Sequence, residues 1–275
     1  MNLSFCSFSS GSSGNCYLVR TDETAVLIDA GISATRILKE LERTETPRDS
    51  VKALFLTHEH YDHVTGARVL LKRLKDVRLY ASAGTIEGTK EYYARGRYSF
   101  EEGIDENRSV IIAPDVEVAV GDLSIRAFRT IHDAEEPYGY SISSAGKRIA
   151  LVTDTGTMTE EMLDYIADAD VLVLESNHDT ELLRRGNYPM YLKRRILSDH
   201  GHLSNSQAAD ALLRIFSFLD KKRFVLLAHL SGDNNTPAIA ERTVLTALAR
   251  EGRYTGRDLS MGILLRDEAS LLYRL

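Results

Sequence analysis

The sequence holds no tryptophan, two cysteines and five prolines in 275 residues. Two thiols, Cys6 and Cys16, make no disulfide framework, which excludes a small cross-linked scaffold; both are expected as reduced core thiols on strands. No apolar run is long enough to span a bilayer. The first residues, Met1-Asn2-Leu3-Ser4-Phe5, lack the basic start and apolar core of a signal peptide. A cytoplasmic protein without a membrane segment is therefore expected. A basic surplus is also missing, since 34 Lys and Arg face 40 Asp and Glu for a net charge of −6. General attraction to nucleic acid is thereby excluded, and a polyanionic substrate needs a local basic patch. What is there, 43% hydrophobic and 27% charged residues, is the composition of a globular protein.

Strands and helices alternate along the chain with no linker or low-complexity break, which predicts one α/β domain over residues 1–275. Strands are expected at Leu3–Phe8, Cys16–Arg20, Ala25–Gly31, Val51–Leu56, Val77–Ala81, Val110–Ile112 and Leu123–Phe128. A hairpin over Tyr138–Ser143 and Arg148–Thr153 follows, then Val171–Leu174, Phe224–Ala228, Leu259–Leu265 and Ser270–Tyr273. Helices are expected at Ala34–Leu41, Val64–Leu74, Thr85–Ala94, Thr159–Ala167, Thr180–Arg185, Pro189–Leu197, from Ser204 or Asn205 to Phe218, and Pro237–Arg250. Arg95 to Asn107 is polar and poorly patterned, and reads as a loop. The small-residue turn Ser9–Asn15 is either a plain hairpin turn or a cradle of backbone N–H groups for an anion.

The densest chemistry is Thr57-His58-Glu59-His60-Tyr61-Asp62-His63, between a buried strand and a helix. Imidazole nitrogen and carboxylate oxygen are ligands that borderline divalent metals choose. One ion cannot easily collect four groups from so short a loop. Two ions can, with His58 and His60 on one and Asp62 and His63 on the other. A zincin pattern fails, because His58-Glu59 requires a histidine at position 62 and finds Asp62. Three further strands run into a candidate ligand: His132, Asp154 and His229. Asp29, at another strand end, suits the orienting of a ligand imidazole.

The string His58-x-His60-x-Asp62-His63 resembles the signature of the metallo-β-lactamase superfamily. Ser10-Gly11-Ser12-Ser13-Gly14-Asn15, His132-Asp133-Ala134, Leu174-Glu175-Ser176-Asn177-His178, Gly201-His202-Leu203-Ser204-Asn205 and His229-Leu230-Ser231 with Asn234-Asn235-Thr236-Pro237 resemble its YycJ/WalJ group, over essentially the whole chain. The resemblance implies a four-layer αββα sandwich with the site at one edge of two sheets. It implies a first metal held by His58, His60, His132 and Asp154, and a second held by Asp62, His63, His229 and the shared Asp154. Zn, Mn and Fe all accept such a set. A hydroxide shared by the metals then serves as nucleophile, so no Ser or Cys nucleophile is needed. Two dications, less the charges of Asp62, Asp154 and hydroxide, leave a positive site that favours an anionic substrate.

The same resemblance implies a 5′→3′ DNA exonuclease linked to mismatch repair, with DNA and DNA-repair proteins as partners. Neighbouring families fit less well. Thioesterases of the glyoxalase II type carry Gly-His-Thr at the third motif and a helical C-terminal domain, whereas His132 here precedes Asp133-Ala134. Nucleases of the β-CASP type carry a large insertion for which residues 155–228 leave no room. The alternatives are a small-molecule hydrolase acting on a phosphodiester, lactone or thioester, and a DNA-repair adaptor without turnover, against which the intact ligand set argues.

Outside the ligand set, His178, His202, Ser204 and Asn205 are hydrogen-bond donors near strand ends or a helix N-terminus, where anions bind. His178 and His202 join Asp62 as candidate catalytic residues, His202 as a general acid. Ser204 and Asn205 are candidate substrate-binding residues. Arg184, Arg185, Lys193, Arg194 and Arg195 form a basic run, either a track for a phosphate backbone, with Arg194 and Arg195 as candidate substrate-binding residues, or an ordinary solvated face.

Overall fold

The structure is a computed structural model that describes residues 2–96 and 106–275. Most of the loop expected between Arg95 and Asn107 lies outside the described residues. Two seven-stranded sheets face each other. The first contains β1 (Ser4–Ser9), β2 (Cys16–Arg20), β3 (Ala25–Ile28), β4 (Val51–Phe55), β5 (Arg78–Ala81), β6 (Ser109–Ile111) and β14 (Tyr273–Arg274), in the order β14-β1-β2-β3-β4-β5-β6. The second contains β7 (Glu117–Val120), β8 (Leu123–Arg129), β9 (Tyr138–Ser144), β10 (Lys147–Val152), β11 (Val171–Glu175), β12 (Arg223–Ala228) and β13 (Leu259–Ile263), in the order β13-β12-β11-β10-β9-β8-β7. Hairpin pairing within each sheet is antiparallel; β3 to β6 and β10 to β13 run parallel, joined by crossovers.

Strand periodicity builds the layers, because successive side chains point to opposite faces. On β2, Tyr17 and Val19 enter the core between the sheets while Cys16 and Leu18 face outward. On β11, Val171 and Val173 point inward while Leu172 and Leu174 face outward. Strands buried on both faces therefore read as unbroken apolar runs. The outer face of the first sheet is covered by α1 (Ala34–Arg43), α3 (Ala67–Arg73) and α4 (Ala83–Arg95), through Ile37, Leu38, Leu70, Leu71 and Ile86. The outer face of the second is covered by α5 (Glu160–Ile166), α8 (Asn205–Phe218) and α9 (Pro237–Arg250), through Leu163, Leu212, Ile215, Val244 and Leu248. Each such buried Leu or Ile contributes about 1.5–3 kcal/mol of hydrophobic stabilisation. The result is the expected αββα sandwich. Among the described residues no helix is long and apolar enough to cross a membrane.

Three elements depart from the expected ones. The helix expected over Val64–Leu74 is two, α2 (Tyr61–Val64) and α3, because Gly66 turns inward and donates its N–H to the Ala30 carbonyl at 2.7 Å. A Cβ on Gly66 would lie 2.0 Å from the Ile32 carbonyl oxygen, so the chain crossing needs glycine. The strand β7, Glu-Val-Ala-Val, is only four residues long and half-exposed, too short to show a pattern in the sequence. The last strand starts later than expected, since Ser270 uses its hydroxyl to accept from Ser7 N–H at 2.9 Å. The fully buried Arg223 is also informative. Its guanidinium donates to the carbonyls of Ala167 and Leu219, the C-caps of α5 and α8, and so satisfies helix ends that would otherwise be buried unpaired.

Candidate metal centre

Strand ends converge at one edge of the sandwich. Asp29 follows β3, Asp154 follows β10 and His229 follows β12; all three adopt left-handed backbone, with φ of 59°, 56° and 55°. Non-glycine residues there store strain of order 1–3 kcal/mol each, which surrounding structure must hold. His229 N–H, for example, donates to Ser10 Oγ at 2.9 Å.

The hydrogen bonds fix which ring nitrogen each histidine presents. His63 Nδ1–H donates to Asp29 Oδ2 at 2.7 Å. Thr57 donates both its N–H (2.8 Å) and its hydroxyl to Asp29, so its oxygen is left to accept from His58 Nδ1–H at 3.0 Å. His58 Nε2 is then a bare lone pair, buried and without a hydrogen bond. His60 gives Nε2–H to the Asp133 carbonyl (3.2 Å), freeing Nδ1, and His132 gives Nδ1–H to the Gly201 carbonyl (3.0 Å), freeing Nε2. Asp154 Oδ2 is likewise buried without a hydrogen bond, 3.4 Å from His63 Nε2. Asp154 Oδ1 lies 3.4 Å from His229 Nδ1, and Asp62 Oδ2 lies 3.5 Å from His229 Nε2.

Ligand atoms of His58, His60 and His132 fall within 4.8 Å of one another, as do those of Asp62, His63 and His229, and those of His58, His63 and Asp154. Neutral nitrogen and anionic oxygen gathered around two buried atoms without partners, His58 Nε2 and Asp154 Oδ2, fit a divalent cation. The electrostatics agree. Burial, aided by the neighbouring rings, keeps His58 well below the ordinary imidazole range, and burial lowers His132 to about 4. Burial would also lower His63, but the Asp29, Asp154 and Asp62 carboxylates raise it to about 9. That same negative field attracts a cation. Asn15 Nδ2 sits 3.0 Å from His63 Nε2, on the lone pair a cation would take.

Glu175, at the end of β11, has a role that the sequence alone does not reveal. It is fully buried and accepts four N–H groups: His202 Nδ1 (2.7 Å) and His229 Nδ1 (3.2 Å) on Oε1, Thr155 N (2.9 Å) and Leu203 N (3.3 Å) on Oε2. Burial alone would raise this carboxyl, but the His202 and His229 rings hold it well below the usual range. Its oxygens are taken up by donors, so it orients rings rather than offering a ligand. The signal for it, an apolar strand ending on a carboxylate, is the one that selected Asp154. Thr57, Asn15 and Asp133 gave no signal of their own.

The cleft over these groups has a volume of about 220 Å³ and is lined by Asp62, His132, Asp154, Arg195, His202 and His229, among others. Arg195 enters it from α7 (Met190–Ile196) and grips the Asp133 carboxylate with two nitrogens, one at 2.9 Å. Arg194 is exposed on the same helix. Arg184 and Arg185, at the end of α6 (Thr180–Arg185), pair with Glu181. Lys193 donates to the Arg184 carbonyl. Ser204 is not brought to the cleft lining: its hydroxyl caps α8 by accepting from Gln207 N at 3.3 Å and donating to Gln207 Oε1 at 2.7 Å. Asn205 is buried and spends its amide on Ser176 and Asn235. His178 is not among the cleft-lining residues; it is buried, with Nδ1 unpaired and its ring lowered by burial to about 4.

Fold and site together define a divalent-metal site on a metallo-β-lactamase fold. Residues 24–230 match the β-lactamase superfamily domain, and the chain belongs to that superfamily. Within it the chain belongs to the YycJ/WalJ group. It is 36% identical over 252 residues to the exodeoxyribonuclease YycJ of Bacillus anthracis, covering 92% of this chain and 91% of that one. It is 34% identical over 252 residues to the exodeoxyribonuclease WalJ of Streptococcus pneumoniae strain D39, covering 92% and 90%. The crystal structure of the metallo-β-lactamase-fold protein YhfI from Bacillus subtilis superposes over the full length of both chains with a TM-score of 0.70 at 16% identity, a likeness of fold.

Proposed function

We propose that this chain is a 5′→3′ exodeoxyribonuclease of DNA repair, a single domain loaded with two divalent cations, Zn, Mn or Fe. His58, His60, His132 and Asp154 would hold one cation, and Asp62, His63 and His229 with Asp154 would hold the other. The observation that carries the reading is the pair of buried, unpartnered ligand atoms, His58 Nε2 and Asp154 Oδ2, the second of them on a residue lining a cleft that also holds a guanidinium. When bound, divalent cations supply Lewis acidity toward a phosphodiester and acidify water. The chain's own residues do the rest. Asp29, Thr57, Gly201 and Glu175 fix the tautomers of the ring ligands, which raises their basicity and holds their geometry. Arg195 spends Nε and Nη2 on Asp133 and keeps Nη1 to donate to a phosphate oxygen. His202, with Nδ1–H given to Glu175, keeps Nε2 for the cleft, where a protonated ring can hand its proton to the leaving oxygen. A cleft of about 220 Å³ takes a chain terminus rather than a whole duplex.

The test is a substrate panel for the purified, metal-loaded protein: end-labelled DNA, bis-p-nitrophenyl phosphate, a lactone and a thioester. DNA should be degraded and should compete with the small phosphodiester. A rate confined to the lactone or thioester would move the assignment to a small-molecule hydrolase.

A further inference from the structure

We propose that α7 is the platform on which the end of a single DNA strand lies, with Arg195 on the scissile phosphate and Tyr191 stacked on the adjacent base. This rests on the nuclease reading and deepens it: the terminal base pair must be open for hydrolysis. On a helix, residues four apart share a face. Arg195 lines the metal cleft, so Tyr191, one turn earlier, lies on the same face and about 6 Å further out. Tyr191 is 74% exposed, and Met190 beside it is 63% exposed. Ile196, on the opposite face, is buried and anchors the helix. The far end of α7 is tied to the catalytic loop, since His202 N–H donates to the Ile196 carbonyl at 3.1 Å. The platform therefore leads directly out of the cleft.

Charge selects this exit over the other. Across His60 and Tyr61 a larger cavity, about 520 Å³, is lined by Glu59, Glu87, Glu91 and Glu135 against one guanidinium, Arg95, which pairs with Glu91. A phosphate backbone is repelled there and attracted by Arg194 and Arg195. A basic helix carrying an exposed ring is how single strands are held without sequence preference, by phosphate contacts and base–aromatic stacking.

The chain contains no tryptophan, so Tyr191→Trp introduces a lone fluorophore. The full-length, metal-loaded variant is titrated with a 5′-phosphorylated oligodeoxythymidine carrying phosphorothioate linkages, with binding followed separately by anisotropy of a 3′ dye. Quenching of the tryptophan in step with binding is expected. Tyr191→Ala should raise the Michaelis constant for single-stranded DNA about tenfold or more. Tyr191→Phe should restore it, and bis-p-nitrophenyl phosphate hydrolysis should stay unchanged. Arg195→Ala should slow both substrates. Binding without quenching, or an unchanged constant in Tyr191→Ala, overturns the platform and leaves the nuclease intact. Failure of the wild-type protein to bind or cut the oligonucleotide overturns the nuclease reading and the platform with it.

Discussion

Glu175→Gln is the most informative single change, because it alters one charge and almost no volume. The carboxylate accepts two histidine N–H groups on one oxygen and two backbone N–H groups on the other. An amide keeps one acceptor and turns an NH₂ group against the remaining two donors. Each buried donor left unmet costs about 1–3 kcal/mol, so the variant loses roughly 2–6 kcal/mol, reduced by removal of a buried charge. With the amide oxygen toward the histidines, the loss falls on Thr155 and Leu203 and appears as stability. With it reversed, His202 and His229 lose the bonds that fix their tautomers, and metal affinity should fall about 10–100-fold. The assay is metal content by mass spectrometry after dialysis against graded chelator, beside denaturant melts with and without metal. A Glu175→Gln protein that keeps its metal, a rate within about twofold of wild type and the wild-type denaturant midpoint would refute the reasoning.

Asp154→Asn should remove metal and activity together, since its bare Oδ2 is the carboxylate oxygen left for a cation; full occupancy with full rate would take Asp154 out of the shared position. His202→Ala should lower turnover by about 10²–10⁴-fold with metal content unchanged; loss of metal would instead make it a ligand. Gly31→Ala should destabilise the fold by about 3 kcal/mol or more, because the new Cβ would lie 1.6 Å from the Asp62 carbonyl oxygen and 2.8 Å from Asn15 N; a denaturant midpoint equal to wild type would show that the turn can yield.

The sandwich was legible because each central strand is apolar on both faces, and Val171–Leu174 or Ala25–Ile28 admit few other readings. The candidate ligands were legible for a related reason. His58, Asp154 and His229 each follow such a strand, His132 follows the alternating β8, and a polar group at those places is conspicuous. What supports them was not. Glu175 looks the same in sequence whether it ligates, orients or merely ends a strand, and only four converging N–H donors distinguish the cases. Arg194 and Arg195 look equivalent as neighbours, yet one helical step puts Arg195 in the cleft against Asp133 and leaves Arg194 on the surface. Ser204 and Asn205 gave equal promise as anion donors and as helix caps; their hydroxyl and amide are spent inside the fold.

The most direct measurement strips the purified chain of metal, restores Zn, Mn or Fe one at a time, and digests a 5′-phosphorylated duplex labelled at the 5′ end in one tube and at the 3′ end in another. Metal-dependent cleavage should release the 5′ label first, as short products, while the 3′ label stays in long fragments that shorten steadily. First release of the 3′ label, internal cutting, or no cleavage with any of the three metals would contradict the account.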